Sequence, residues 1–330
     1  MKQLIALLLV TCVSNVAFAD YAAGVKAYSE KRWSQAYDEF LPLAQNGDSR
    51  SQYYIGRMYL DGSGMPQDIE MAVDYFLKAA NSNYTVAQAT LGFLYAEGIG
   101  VEKDKKKAIE LYKQAADQGN GDALLNLGVM YYTGDGVTKD VEKAVEYFSK
   151  VSPTEKPAVA KYLGDIYLNE AKFKDAQKAY NYYVLAAQSG DIGAYHILGT
   201  MYQNGTHMNR DMTEAIKFYS YAASKGYTPS QYALGAIYAN ADGVERDNSK
   251  AHAYLSLAAA KDMKEAITAK KQLEEDMTLT ERNKANQAMI TIQQEDLAEV
   301  ASPIADKVPQ TVTTQRETKT KTTIRRRRRR

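Results

Sequence analysis

The sequence predicts an all-α fold, a solenoid of stacked helix pairs, and three observations carry that reading. First, a Leu-Gly or Ile-Gly pair followed three residues later by Tyr recurs along the chain. The copies are Ile55-Gly56 with Tyr59, Leu91-Gly92 with Tyr95, Leu127-Gly128 with Tyr131, Leu163-Gly164 with Tyr167, Leu198-Gly199 with Tyr202 and Leu234-Gly235 with Tyr238, at intervals of 36, 36, 36, 35 and 36 residues. Second, each interval contains two segments whose apolar residues follow a helical period. Third, a Gly-bearing loop separates the two segments in most copies. A unit of this length cannot bury its own apolar face, so copies stack and each touches its neighbours.

Residues 1–19 read as an export signal: Lys2, an apolar run from Leu4 to Val10, then Ala17-Phe18-Ala19 as a small-x-small cleavage site before Asp20. The single cysteine, Cys12, lies inside this segment. An alternative reading lipidates it after Leu9-Val10-Thr11, although Thr is a poor residue at that place. Either way the exported chain has no disulfide, and packing must hold it together. No later apolar run approaches the roughly 20 residues needed to span a bilayer. The expected location is the periplasm, with secretion or surface association as the other outcomes.

Residues 20–48 form a shorter unit. Gly24 stands 12 residues before Ala36, against 16 from Gly56 to Ala72, and with Trp33 and Phe40 this unit is expected to cap the first end of the stack. Residues 49–262 hold the six full units. In each first helix a small residue stands five before the Gly (Ser51, Ala87, Ala123, Val159, Ala194, Ser230), and Met, Leu or Ile follows it by two. These intervals trace one helix face, which is the core. A mid-helix Gly costs about 1 kcal/mol relative to Ala, so its recurrence implies close approach of a neighbouring helix backbone.

The second helices repeat Ala, then a bulky and mostly aromatic pair, then Ala-Ala, as in Ala72, Tyr75-Phe76 and Ala79-Ala80, or Ala215, Phe218-Tyr219 and Ala222-Ala223. Large side chains alternating with Ala suit packing between helices. The linking loops (Gly62 and Gly64, Gly98 and Gly100, Gly134 and Gly136, Gly205, and Gly243 in the last unit) follow a helix rather than a strand. They are therefore helix ends needing positive φ, not phosphate cradles. In the third unit Val151-Ser152-Pro153 replaces Ala-Ala and Pro157 follows, so its second helix is expected to end early. The fourth unit lacks the Gly pair and is one residue short in its loop. A bend is expected near residues 150–175.

Residues 263–301 hold two more helical patterns, over about 263–275 and 280–300, with Thr280 as a candidate N-cap and a stripe of Ala285, Ala288, Met289 and Ile292. They are read as polar-faced capping helices. Residues 302–330 are poor in apolar side chains and carry ten Lys or Arg against two Asp or Glu, ending in Arg325, Arg326, Arg327, Arg328, Arg329 and Arg330. This composition reads as a disordered basic tail. With the chain near neutrality overall at +1, the body it trails is acidic. Six arginines attract phosphate-rich polymers. In an exported chain the first such surface is lipid headgroup or envelope polymer, ahead of self-association or folding back on the acidic body. Nucleic acid is the remotest of these partners.

The string Leu-Gly-x-x-Tyr, Gly-x-Gly-Val, Lys-Ala, aromatic pair, Ala-Ala, Gly resembles the Sel-1-like repeat, a variant of the tetratricopeptide repeat with a longer loop between its helices. The resemblance covers about residues 50–262, and the shorter unit at 20–48 is similar to an ordinary tetratricopeptide repeat. The resemblance implies a right-handed superhelical solenoid of antiparallel helix pairs and a role as a scaffold for protein complexes, in signalling or in the bacterial envelope. Some cysteine-rich exported members are linked to β-lactam binding, but the Cys pairs they rely on are missing here.

Laying the repeats over one another shows variable positions four and three before the Gly, and one and four after it. In tetratricopeptide-type folds this stripe lines a concave groove. Here it carries Gln52, Leu60, Gln88, Leu124, Val129, Gln203 and Gln231, with Lys161 and Asp165 breaking its apolar character in the fourth unit, and it offers Tyr53, Arg57, Phe93, Leu125, Tyr132, Tyr195, His196 and Tyr232. These are the candidate partner-binding residues, since aromatic anchors in an apolar groove suit a peptide or helix ligand. The other reading makes some of them contacts to the next repeat.

Three histidines, His196, His207 and His252, remain for catalysis, with no Cys nucleophile after the signal and no His pair at metal spacing. His252 stands where other units carry Val73, Ile109, Val145 and Ile216, and reads as a partly buried substitution. No cofactor and no metal are expected. The sequence therefore points to a non-catalytic scaffold that binds a protein partner, with an envelope-glycan binder as the alternative and a hydrolase behind both.

Overall fold

The computed structural model describes residues 19–297, 302–304 and 307, and all regular structure among them is α-helix. The predicted signal segment and the six terminal arginines lie outside the described residues, apart from Ala19. The chain divides into two compact units, residues 1–127 with 135–138 and residues 128–134 with 139–330.

The first unit opens with α1 (Tyr21–Ser29) and α2 (Trp33–Gln45), followed by the pairs α3 (Ser49–Asp61) with α4 (Ile69–Asn81) and α5 (Thr85–Glu97) with α6 (Lys105–Asp117). Helix α7 (Gly121–Thr133) begins the third repeat and contains the division between the units. In every first helix the residue five before the Gly is buried, from Ser51 to Ser230. The expected backbone approach is present at three of the mid-helix glycines, where a Cβ on Gly56, Gly199 or Gly235 would lie 3.2, 3.2 or 3.3 Å from the carbonyl of Ala72, Ala215 or Ala251, but a side chain comes closer still. The second member of the bulky pair on the following helix packs on the Gly: a Cβ on Gly92 would fall 2.8 Å from the Tyr112 ring, one on Gly56 2.8 Å from Phe76, and one on Gly235 2.7 Å from Leu255. Gly24 stands in the same relation to Phe40, 2.7 Å away, so the shorter opening pair keeps the register of the full repeats.

The loops also repeat one geometry. Helix α5 ends on Gly98 in the left-handed region, φ 74°, as expected of a helix C-cap. The chain then turns back so that the N–H of Asp104 bonds the carbonyl of Tyr95 at 2.9 Å, and the Asp104 carboxylate accepts from the N–H of Lys107 to cap α6. The same pairing recurs from Asp68 with Tyr59 to Asp247 with Tyr238, including Asp175 with Tyr167 in the shortened fourth loop. Recurring Asp N-caps are therefore part of the repeat, satisfying amides that each helix start leaves free.

The second unit continues with α8 (Val141–Phe148), α9 (Ala158–Asn169), α10 (Ala176–Gln188), α11 (Ile192–Asn204), α12 (Met212–Ser224), α13 (Thr228–Asn240) and α14 (Asn248–Ala259). Helix α8 has 8 residues where the other second helices of the repeats have 12 or 13, so it ends early as Pro153 and Pro157 predict. Helix α9 closes on Glu170 in extended backbone instead of a left-handed Gly, which is how the fourth loop dispenses with its glycines.

Two further helices, α15 (Lys264–Asp276) and α16 (Leu279–Leu297), pack on α14 through Ala258, Ala266, Leu273, Met277 and Ala285. The cap of α16 is Thr278, not Thr280. Its hydroxyl accepts from the Glu281 N–H at 3.3 Å while the Glu281 carboxylate takes the Thr278 N–H at 2.8 Å, a reciprocal capping box.

Residues 302–307 were expected to be part of a disordered tail. Of these, Ser302, Pro303, Ile304 and Lys307 are described, and they lie on the second unit beside α10, α11 and α12.

Candidate functional site

The first helices present the variable stripe on a face adjoining the buried one, and the structure divides it by depth. The position four before the Gly is buried. At that position Gln52, Gln88 and Gln231 point their amide Nε2 at the carbonyls of Ala44, Ala80 and Ala223 near the end of the preceding second helix, at 3.1, 3.4 and 3.3 Å. Each of these carbonyls also accepts a backbone N–H of the turn that follows, from Gly47, Asn83 and Gly226, so the glutamines add a second bond to a helix end across the joint between repeats. Their recurrence in three units was the sequence signal for this role.

In the first unit, Tyr53 packs edge-on against Tyr84 and tilts over Phe76, with centroids 5.6 Å apart in both cases. Arg57 donates to the Tyr53 hydroxyl at 3.3 Å and pairs with Asp61 at 3.0 Å, so the structure joins Tyr53 and Arg57 in one cluster. Phe93, one after its Gly, is 48% exposed. Leu125 is half-buried.

In the second unit, Tyr132 meets Tyr162 edge-on and lies under the Lys139 ammonium, 5.3 Å from the ring centre. Asp165 carries the fourth repeat's departure from the apolar pattern: it accepts a 2.5 Å hydrogen bond from the Tyr183 hydroxyl. Burial pushes its pKa up, and the Tyr183 bond and the Lys161 charge offset this in part. Tyr232 lines an open depression with Lys264, Glu265, Thr268, Ala269 and Gln272.

Tyr195 and His196 turn to different partners. Tyr195, expected on an open stripe, is 4% exposed because it shares the buried position of the glutamines, and it packs on Phe218 and Tyr221. Its hydroxyl meets the Ser302 hydroxyl at 2.8 Å. His196 packs on Tyr219 and Tyr227, and its Nδ1 lies 3.0 Å from the Ser230 hydroxyl. Burial lowers its pKa, which keeps the ring neutral at pH 7.

His252 is buried as its apolar register implies, with Nε2 2.7 Å from a Glu274 carboxylate oxygen on α15. It joins the last repeat to the capping helices. Among the described residues no group of His, Cys, Asp and Glu is placed to hold a metal ion, and no helix is long and apolar enough to cross a membrane.

The family model described as the Sel1 repeat matches residues 49–84, 85–120, 121–150, 158–191, 192–227 and 228–263. The fold is similar to that of c5321, a protective antigen of uropathogenic Escherichia coli strains that displays an SLR fold, at 25% identity and a TM-score of 0.72. The match covers 89% of this chain and 65% of that one, so the chain spans about two thirds of that protein's length. It is also similar to a Sel1 repeat protein from Oxalobacter formigenes, at 30% identity and a TM-score of 0.62, over 73% of this chain and 100% of that one. Among curated proteins none matches the sequence significantly.

Proposed function

The chain belongs to the Sel1 repeat family, and on that footing we propose that it is a non-catalytic scaffold that binds a protein or peptide on the variable face of its first helices. Sel1 repeat proteins are in general protein-interaction scaffolds. The observation that supports this face as the docking surface is Phe93. The invariant positions of α5 are buried, yet this large apolar side chain at a variable position is 48% exposed. Such a residue is a natural anchor for an apolar partner.

The export signal read in residues 1–19 supports a place in the cell envelope. The terminal arginines would add attachment to an anionic polymer or lipid surface there. Envelope glycan is the alternative ligand, for which exposed Tyr and Trp would stack on sugars; Trp33 supports it least, because it packs edge-on against Tyr28 and lies against Gly64.

The test is affinity capture from envelope extracts with the wild-type chain and with Phe93→Ser and Leu125→Ser variants of native melting behaviour. A partner protein held by the wild type and lost from the variants supports the reading. Retention that ignores both substitutions and disappears in high salt makes the function electrostatic anchoring.

A further inference from the structure

The repeats share a small device that becomes visible when their second helices are aligned. The residue before the Ala that stands three ahead of the bulky pair is Lys107, Lys143, Lys178 or Lys250 in the second, third, fourth and sixth repeats. Each lies over the ring of its repeat's recurring tyrosine, Tyr95, Tyr131, Tyr167 or Tyr238, with the ammonium 4.4, 5.3, 5.1 and 5.2 Å from the ring centre. The ring attracts the cation through its quadrupole.

In the fifth repeat this residue is Glu214, so the charge is reversed. The cation is nonetheless present. Lys307, from beyond the capping helices, places its ammonium 4.6 Å from the Tyr202 ring centre and 5.2 Å from that of Phe218. It donates to Glu214 Oε2 and to the Tyr202 hydroxyl, each at 2.6 Å, and that hydroxyl is 3.0 Å from the Tyr180 hydroxyl. The segment is fastened before this contact and at Lys307 itself. Ser302 meets Tyr195, Ile304 is 3% exposed, and Gln188 donates to the Lys307 carbonyl at 3.3 Å.

We propose that Tyr180, Tyr202, Glu214 and Phe218 form a lysine-recognition site, and that its occupant is the chain's own Lys307, anchored by Ser302 and Ile304, which closes it to basic segments of other chains. Two features favour a dedicated site over a chance surface contact. Glu214 supplies the acceptor that the other repeats lack at this position, and its own pair with Lys217 at 2.7 Å leaves Oε2 for Lys307. Ile304 and Ser302 add an apolar and a polar contact at fixed spacing, so the site reads a short sequence and not a charge alone. The inference stands apart from the scaffold reading, because the occupant belongs to the same chain. It also fixes the root of the basic tail: Arg325 follows Lys307 by 18 residues, a reach of at most about 65 Å.

Two measurements on the full chain test it. In the first, trypsin cleavage after Lys307 is followed by mass spectrometry and compared with cleavage after Lys319 and Lys321. In the wild type the Lys307 bond should be cut at least tenfold more slowly. Glu214→Lys, which gives the fifth repeat the residue of its neighbours, should remove that protection while circular dichroism stays native. In the second, a labelled peptide of residues 300–309 is titrated to millimolar concentration, because a tethered segment competes at about that effective concentration. It should bind the Lys307→Ala, Ile304→Ser double variant and not the wild type, and a peptide carrying Ala for Lys307 should bind neither. Equal cleavage in wild type and Glu214→Lys, equal peptide binding to both chains, or no binding to the vacated chain would each overturn the proposal. The peptide arm decides the matter if Glu214→Lys fails to fold.

Discussion

Gly92 shows how one atom sets the register of a repeat. A Cβ there would fall 2.8 Å from the Tyr112 ring, inside van der Waals contact. Gly92→Ala should therefore lose about 1–3 kcal/mol through overpacking, set against the gain of about 1 kcal/mol that Ala brings to a helix interior. Urea unfolding reads the net loss, and in a Tyr112→Ala background the sign should reverse because the clash is gone. Asp165 offers a second test. Its pKa is raised in the fold, chiefly by burial, so ionisation opposes folding. The destabilisation is present in full above the folded pKa and vanishes below the unfolded value. Asp165→Asn should accordingly melt higher than wild type at pH 7, with the difference shrinking as pH falls through the folded pKa. Glu214 has the opposite sign: burial opposes its charge, but Lys217 and Lys307 outweigh this and lower its pKa. Its contribution is present above the unfolded carboxylate range and is lost as pH falls through the folded pKa. At this scale the sequence showed that the Gly mattered but not why, since periodicity reveals which face is buried and not which side chain covers it.

At the scale of the element, the helices and their order were legible because composition and period agree in each. The early end of α8 followed from Pro153 and Pro157, and the C-capping glycines from their place after a helix. The recurrent Asp caps, Asp68 to Asp247, were overlooked although their spacing matches that of the Leu-Gly pairs. Thr278 and Thr280 both precede the apolar stripe, and what singles out Thr278 is Glu281 three residues on, which completes the capping box. Helices α15 and α16 close the stack through Ala285, which is 1% exposed. Ala285→Glu should bury an unpaired carboxylate and detach the cap. Hydrogen exchange should then accelerate in α15 and α16 and in the adjoining α14 while α3 to α6 keep wild-type protection, because repeats depend on their neighbours. Uniform acceleration along the chain would mean that the cap is not a separate cooperative element.

For the molecule as a whole, the repeat identity was fully legible and the binding surface was not. A repeat reveals which positions vary, but variation alone does not separate an open face from the joint between repeats: Phe93 is open, while Tyr195 and the glutamines at its position are buried. The docking of Lys307 was hidden for a related reason. The Lys-Ala step and its reversal at Glu214 are visible in the sequence, yet nothing local links residue 214 to residue 307. The central claim is that the variable face of the first helices holds a protein partner. The most direct measurement is site-specific photo-crosslinking in living cells, with a photoreactive phenylalanine analogue placed at Phe93 on α5 or at Lys113 on α6. A discrete crosslinked protein is expected from position 93 and not from position 113. The same adduct from both positions, or none from position 93 in cells where the chain is folded, would contradict it.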